Sequence, residues 1–258
     1  MRNLIRKYSL LVFALSLFQS GWAQSPALQD SISQAAKFYN AGKYNDAVRT
    51  YQYVVGRGFE SPVLYFNLGN AFYKAGNPIY AILNYERAKK LTTDDEDINY
   101  NLELARKQIV DNAILPLPEP GFLGWWKQLI GLRTADQWGL QSLIAFFIFL
   151  VIFGLFLFSR TSQMKRIGFW ISVIALSYSI TTYSFGSNLR KNIVNHNTAI
   201  ITERSLRVKG SPSETGTELF IIHEGLTVQI TDNLGDWVEI RLPDGNKGWV
   251  KESTMIRI

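Results

Sequence analysis

The sequence contains no cysteine and only two histidines, His196 and His223. The first absence excludes a disulfide framework, a thiol nucleophile, a thiolate metal site and a lipid-modified anchoring Cys. The second leaves little material for a His-based catalytic or metal centre. Also missing are a phosphate-cradling Walker loop, a His-Glu-x-x-His zinc helix and a Gly-x-Ser-x-Gly hydrolase elbow. The acidic run Asp94, Asp95, Glu96, Asp97 lacks the interleaved spacing and turn glycine of a calcium loop, and reads as a solvated helix start. His223, beside Glu224 and Gly225, reads as a strand-end side chain rather than a ligand. From these absences the chain is expected to be no enzyme and to carry no cofactor and no metal.

A surplus of charge is missing from the regions where a nucleic-acid binder would need it. The formal net charge is +6. Residues 1–23 carry +3, residues 24–118 are neutral, residues 119–194 carry +5 and residues 195–258 carry −2. Neither polar region is basic, so no nucleic-acid partner is expected. The cations sit in the leader and around the apolar middle, a distribution that belongs to membrane insertion. Hydrophobic residues are 47% of the chain, yet the mean hydropathy is −0.01, so the apolar residues are gathered into blocks. The aromatic and charged contents, 14% and 19%, are too apolar for a disordered chain.

Residues 1–23 read as a secretory leader. Arg2, Arg6 and Lys7 precede a short apolar run, and Gly21 and Ala23 are the small residues a signal peptidase reads, which places cleavage before Gln24. An uncleaved signal anchor is the alternative, and it exports the downstream chain in the same way.

Residues 24–115 contain a repeat. Phe38, Gly42, Ala47 and Tyr51 recur 34 residues later as Phe72, Gly76, Ala81 and Tyr85. That period, with small residues at fixed places and aromatics between them, is the tetratricopeptide repeat (TPR) pattern. The alanines fall where two helices approach closely, and the glycines fall at the turns. Asn77-Pro78 is a helix start, with Asn as cap and Pro at the first helical position. Leu102 lies 34 residues after Leu68 and belongs to a single capping helix, residues 98–112, that covers the last repeat.

In that architecture the first helix of each repeat lines a concave face. Residues Tyr39 and Asn40, with Ala36, come from the first repeat. Phe66, Asn70, Tyr73 and Lys74 come from the second, and Tyr100 and Lys107, with Leu104, from the capping helix. Phe66 stands where a carboxylate clamp needs Lys, so the surface suits an apolar segment, with Asn70 bonding its backbone. The other open reading is that two repeats are too few for a groove and are structural.

Pro116, Pro118 and Pro120 end the helical region. Residues 116–137 read as a Pro-rich spacer and an amphipathic helix, with Trp125 and Trp126 at a water–lipid boundary. A helix packed on the repeats is the alternative. Residues 138–158 and 167–185 carry no charge, and each has the length of about 20 residues that a membrane crossing needs. Arg160, Lys165 and Arg166 put the loop 159–166 in the cytoplasm, and both flanks outside.

Residues 195–258 change to short strands, at 199–201, 206–208, 227–230, 237–242 and 248–250, with a turn at 243–246. About five strands in so short a stretch suggest a small barrel. Leu206-Arg207-Val208-Lys209, Gly225, Asp236-Trp237-Val238 and Gly248-Trp249-Val250 resemble the bacterial SH3-like domain. Trp237 and Trp249 are candidate partner-binding residues there. Each is either core filling, with Trp249 favoured for that part, or the wall of an exposed groove.

The fold class expected is therefore multidomain: an all-α tetratricopeptide domain, a two-helix transmembrane hairpin and a small all-β SH3-like barrel. The order of parts, with Asn101-Leu102-Glu103-Leu104-Ala105-Arg106, Trp125-Trp126 and the stretch from Glu218 to Gly225, resembles the BatE-type proteins of the Bacteroides aerotolerance (Bat) operons of Bacteroidetes. The resemblance implies an inner-membrane protein encoded with a MoxR-type ATPase and with membrane proteins bearing von Willebrand A-type domains, which would be its partners. It implies a role in envelope or oxidative stress and supplies no catalytic motif. Two functions are compatible with these parts: a membrane-tethered periplasmic scaffold that binds proteins, or an envelope anchor or sensor whose SH3-like domain holds peptidoglycan.

Overall fold

In a computed structural model, residues 26–92, 95–111, 121–195 and 197–258 are described. The leader, the Pro-rich spacer and His196 lie outside them. The chain divides into two compact units, one ending at Phe59 and one beginning at Glu60.

The described part of the first unit is a helical hairpin, α1 (Pro26–Asn40) and α2 (Tyr44–Gly56). Ala35, Ala47, Val48, Tyr51 and Val54 are its buried residues. In the second unit α3 (Pro62–Lys74) and α4 (Pro78–Leu91) form another hairpin, followed by α5 (Glu96–Arg106). Ser61 caps α3 by accepting from the Leu64 N–H at 3.1 Å. Asn77 caps α4 by accepting from the Tyr80 N–H at 3.3 Å, and Asp95 caps α5 through the N–H groups of Asp97 and Ile98. These are the residue types that satisfy the orphan donors of a first turn.

The turns of the two hairpins repeat each other. The Lys43 N–H bonds the Phe38 carbonyl at 2.9 Å, and the Asn77 N–H bonds the Phe72 carbonyl at 2.9 Å. Each reaches back five residues over a glycine with positive φ, +73° at Gly42 and +80° at Gly76. This six-to-one closure needs a left-handed residue, which glycine adopts without a Cβ penalty. Gly69 is required for a different reason: a Cβ there would lie 2.6 Å from the Tyr85 ring. The capping helix expected over 98–112 ends at Arg106 and continues as turns closed by the Gln108 and Ile109 N–H groups.

Helix α6 (Gly121–Gly131) is followed by α7 (Ala135–Phe158) and α8 (Ser162–Val194). α6 and α7 are separate because Thr134 and Gln137 form a reciprocal capping box that starts a new helix. α7 and α8 are each long and apolar enough to cross a membrane. They pack on each other through small residues. The Ser142 hydroxyl donates to the Ser179 carbonyl at 3.0 Å, and the Ser179 hydroxyl donates to the Ser142 carbonyl at 2.9 Å. Their outward faces, including Phe147, Val151, Leu155, Trp170 and Ile174, are exposed.

Seven strands form one antiparallel sheet: β1 (Thr198–Ile201), β2 (Ser205–Lys209), β3 (Glu218–His223), β4 (Thr227–Leu234), β5 (Trp237–Arg241), β6 (Lys247–Lys251) and β7 (Met255–Arg257). Their order is β3-β2-β6-β5-β4-β1-β7. Alternation turns Leu206, Val208, Val228, Ile230, Val238, Ile240 and Val250 inward to an aliphatic core. β3 and β7 are additional to the five strands expected. The sheet rests on the helices of its own unit. Lys90 Nζ donates to the carbonyls of Asn195 and Ile258, and the Asp111 carboxylate accepts from the His223 N–H at 2.6 Å.

Candidate binding site

The same alternation that fills the core decides what faces outward on β2, β6 and β5. Arg207 and Lys209 face out from β2, Lys247, Trp249 and Lys251 from β6, and Trp237, Glu239 and Arg241 from β5. Register sets them side by side: Trp237 opposite Lys251, Glu239 opposite Trp249, Arg241 opposite Lys247 and Lys209 opposite Trp249. Both candidate tryptophans therefore stand half-buried on one outer face. Neither fills the core, which is aliphatic.

Two ammonium groups hold the Trp237 ring. Lys209 Nζ lies 5.6 Å and Lys251 Nζ 5.9 Å from its centroid, within cation–π range. Glu214, in the loop between β2 and β3, joins them: its carboxylate pairs with Lys251 and stands 3.7 Å from Lys209, whose ammonium also donates to the Glu214 carbonyl. The Lys251 hydrogen bond and charge hold the Glu214 carboxyl below its ordinary value, and Glu214 in turn raises Lys251. Elsewhere on the face Arg207 pairs with Glu218 at 3.0 Å and Lys247 with Glu239 at 3.5 Å. The face thus offers two indole surfaces and a set of cations, four of them paired with carboxylates. No sequence motif marks Lys251 or Glu214, and Lys209 enters only as the end of the Leu206–Lys209 stretch, although the strand alternation around Val208 and Val250 places both lysines outward.

The candidates on the helices are placed differently from one another. In the first unit Tyr39 packs edge-on against Tyr44 with centroids 5.4 Å apart, and Asn40 is exposed. In the second unit Phe66 lies against the Tyr85 ring at 5.9 Å. The Asn70 side-chain oxygen accepts from the Tyr85 hydroxyl at 2.8 Å and from the Asn101 amide at 3.0 Å. That oxygen links α3, α4 and α5 and is engaged internally, so a bond from Asn70 to a partner's backbone would have to come from its amide nitrogen. The Tyr73 hydroxyl accepts from Gln108 at 2.7 Å. Lys74, Tyr100 and Lys107 are exposed, and Lys107 stands 3.4 Å from Glu103. Among the described residues no three His, Asp or Glu side chains converge in a way that could hold a metal ion.

Residues 210–255 match the family described as Bacterial SH3 domain. The match spans the Glu214 loop, both tryptophans and Lys251, and the C-terminal antiparallel sheet is consistent with a bacterial SH3 domain. No curated protein matches the chain.

Proposed function

We propose that the chain is a non-catalytic, membrane-anchored adaptor that binds proteins on the periplasmic side of a bacterial inner membrane. The observation that carries this reading is the bacterial SH3 domain with Trp237 and Trp249 on one outer face. Half-buried indoles beside cations suit recognition, because they give large contact area with little ordering cost.

The anchor is the α7–α8 hairpin. At about 1.5 Å per residue its helices are roughly 36 and 50 Å long, against a hydrocarbon core of about 30 Å. Exposed apolar faces on both are costly in water and favourable in lipid. Phe122, Trp125 and Trp126 of α6 are exposed, which supports a helix lying in the membrane interface. The Phe38–Phe72 and Gly42–Gly76 periodicity, with its identical turn closures, supports reading the helical hairpins as two tetratricopeptide repeats with α5 as their cap. The resemblance to BatE-type proteins supports partners in a Bat and MoxR-associated envelope or oxidative stress complex, with von Willebrand A-type membrane proteins among them.

Topology is tested with single cysteines, for which the chain has no background. Ser213→Cys should react with an impermeant maleimide in spheroplasts, and Ser162→Cys should react only after lysis. The reverse pattern would invert the topology. Purified sacculi should not retain the detergent-solubilised protein; retention would favour peptidoglycan as the ligand.

A further inference from the structure

We infer that the outer face of the SH3 domain takes an acidic segment of a protein partner, and that the Glu214 carboxylate is an internal occupant of that site which the ligand displaces. The inference rests on the proposed binding role of this face and gives it a ligand class.

Three observations carry it. The first is charge. The domain as a whole is net negative, with −2 over residues 195–258. Its outward face on β2, β6 and β5 nevertheless carries five cations, Arg207, Lys209, Arg241, Lys247 and Lys251, against one carboxylate, Glu239. Among the described residues no carboxylate lies in salt-bridge range of Arg241. Cations gathered on one side of an acidic domain attract an acidic partner and steer its approach.

The second is pre-organisation. The Lys209 side chain is only 14% exposed, and its ammonium is fixed over the Trp237 ring with that of Lys251 on the same ring. A carboxylate arriving there meets two placed donors and an indole, without ordering long side chains first. Trp249, opposite both Lys209 and Glu239 in the register, extends the surface along an extended chain.

The third is the present occupant. Glu214 is a carboxylate already bound to both lysines, so the site demonstrates its own ligand chemistry. The loop does not need that side chain for its shape. Its backbone closes through Gly210 N–H to the Thr217 carbonyl at 2.9 Å and Gly216 N–H to the Ser213 carbonyl at 3.1 Å. Glu214 is two-thirds exposed, and an exposed bridge is weak and salt-screened. An acidic ligand can therefore exchange with it at small cost.

The test uses the full chain in nanodiscs and a dye-labelled peptide alternating Glu and Gly, followed by fluorescence anisotropy at low salt. A matched peptide with Gln for Glu is the control. The Glu peptide should bind, with affinity falling steeply as salt rises, and the Gln peptide should bind at least about tenfold more weakly. Glu214→Gln should tighten the Glu peptide by about two- to fivefold, the range of an exposed pair. Lys251→Gln should weaken it, with near-ultraviolet circular dichroism unchanged. Equal binding of the two peptides, lost in Trp249→Ala, would overturn the acidic class while leaving the binding face intact. Unchanged affinity in Glu214→Gln would overturn the displacement. Binding of neither peptide would remove the acidic class, and capture by sacculi instead would remove the protein-binding reading with it.

Discussion

Asn70 shows how one side chain can be read two ways. From its place on a first helix it faces a groove; in the structure its oxygen accepts two hydrogen bonds from other helices. Asn70→Ala leaves the Tyr85 hydroxyl and the Asn101 amide without that acceptor, so it should cost about 1–3 kcal/mol. Hydrogen exchange confined to α3, α4 and α5 would report it, whereas Tyr73→Ala should change exchange much less. The partners lie 15 and 31 residues away, and a spacing argument based on 34 cannot see them. His223 is similar: it ends β3, but its partner Asp111, 112 residues distant, is beyond the reach of any local pattern. Tyr65 is 4% exposed, and burial first, then the neighbouring Glu60, push its phenol from 10.0 to about 12. A raised folded pKa means stability fully present below the unfolded value and lost as pH climbs toward the folded one. Alkaline unfolding of the second unit should therefore steepen between about pH 10 and 12, and Tyr65→Phe should flatten it in a pH series of circular dichroism melts.

Elements are legible where a local rule fixes them. The helix starts at Ser61, Asn77 and Asp95 follow from capping chemistry, and the repeat period follows from Phe38, Gly42 and their copies. The boundaries of the apolar helices differ from expectation. Thr134 with Gln137 starts α7 three residues before the uncharged stretch, and α8 extends past the uncharged span at both ends, from Ser162 to Val194, so Lys165 and Arg166 lie in its first turns rather than in the loop expected over 159–166. The strand β3 escapes a pattern search because it lies at the sheet edge, with Leu219 and Ile221 exposed, so its apolar residues do not alternate. On the outer face of the domain the outward direction of the lysines is legible from strand alternation, but their gathering around Trp237 is not, since pairing across β2, β6 and β5 brings them to it. Because the core is aliphatic, Trp249→Ala should leave the sheet folded and lose partner binding; circular dichroism and co-purification separate the two effects. In the hairpin, Ser179→Val removes one of the reciprocal serine bonds. Its expected cost is about 0.5–2 kcal/mol in detergent unfolding, the size of interhelical hydrogen bonds in membranes.

At the scale of the molecule, the described residues of each compact unit include a short helical hairpin, and the second unit adds the apolar hairpin and the SH3 domain. The SH3 domain is fastened to the helices of its unit by Lys90 and Asp111, so its binding face is presented at a fixed place rather than on a free tether. The central claim is that this face binds a protein while the chain is anchored in the membrane. The most direct measurement places a photoactivatable phenylalanine at Lys247, on the binding face, in cells producing the full chain, with Glu203 as the control position outside it. Irradiation should give a discrete protein adduct from position 247 that resists lysozyme, is absent from position 203 and disappears in Trp249→Ala. An adduct from 247 that is lost on lysozyme digestion, or none from 247 in intact membranes, would contradict the account.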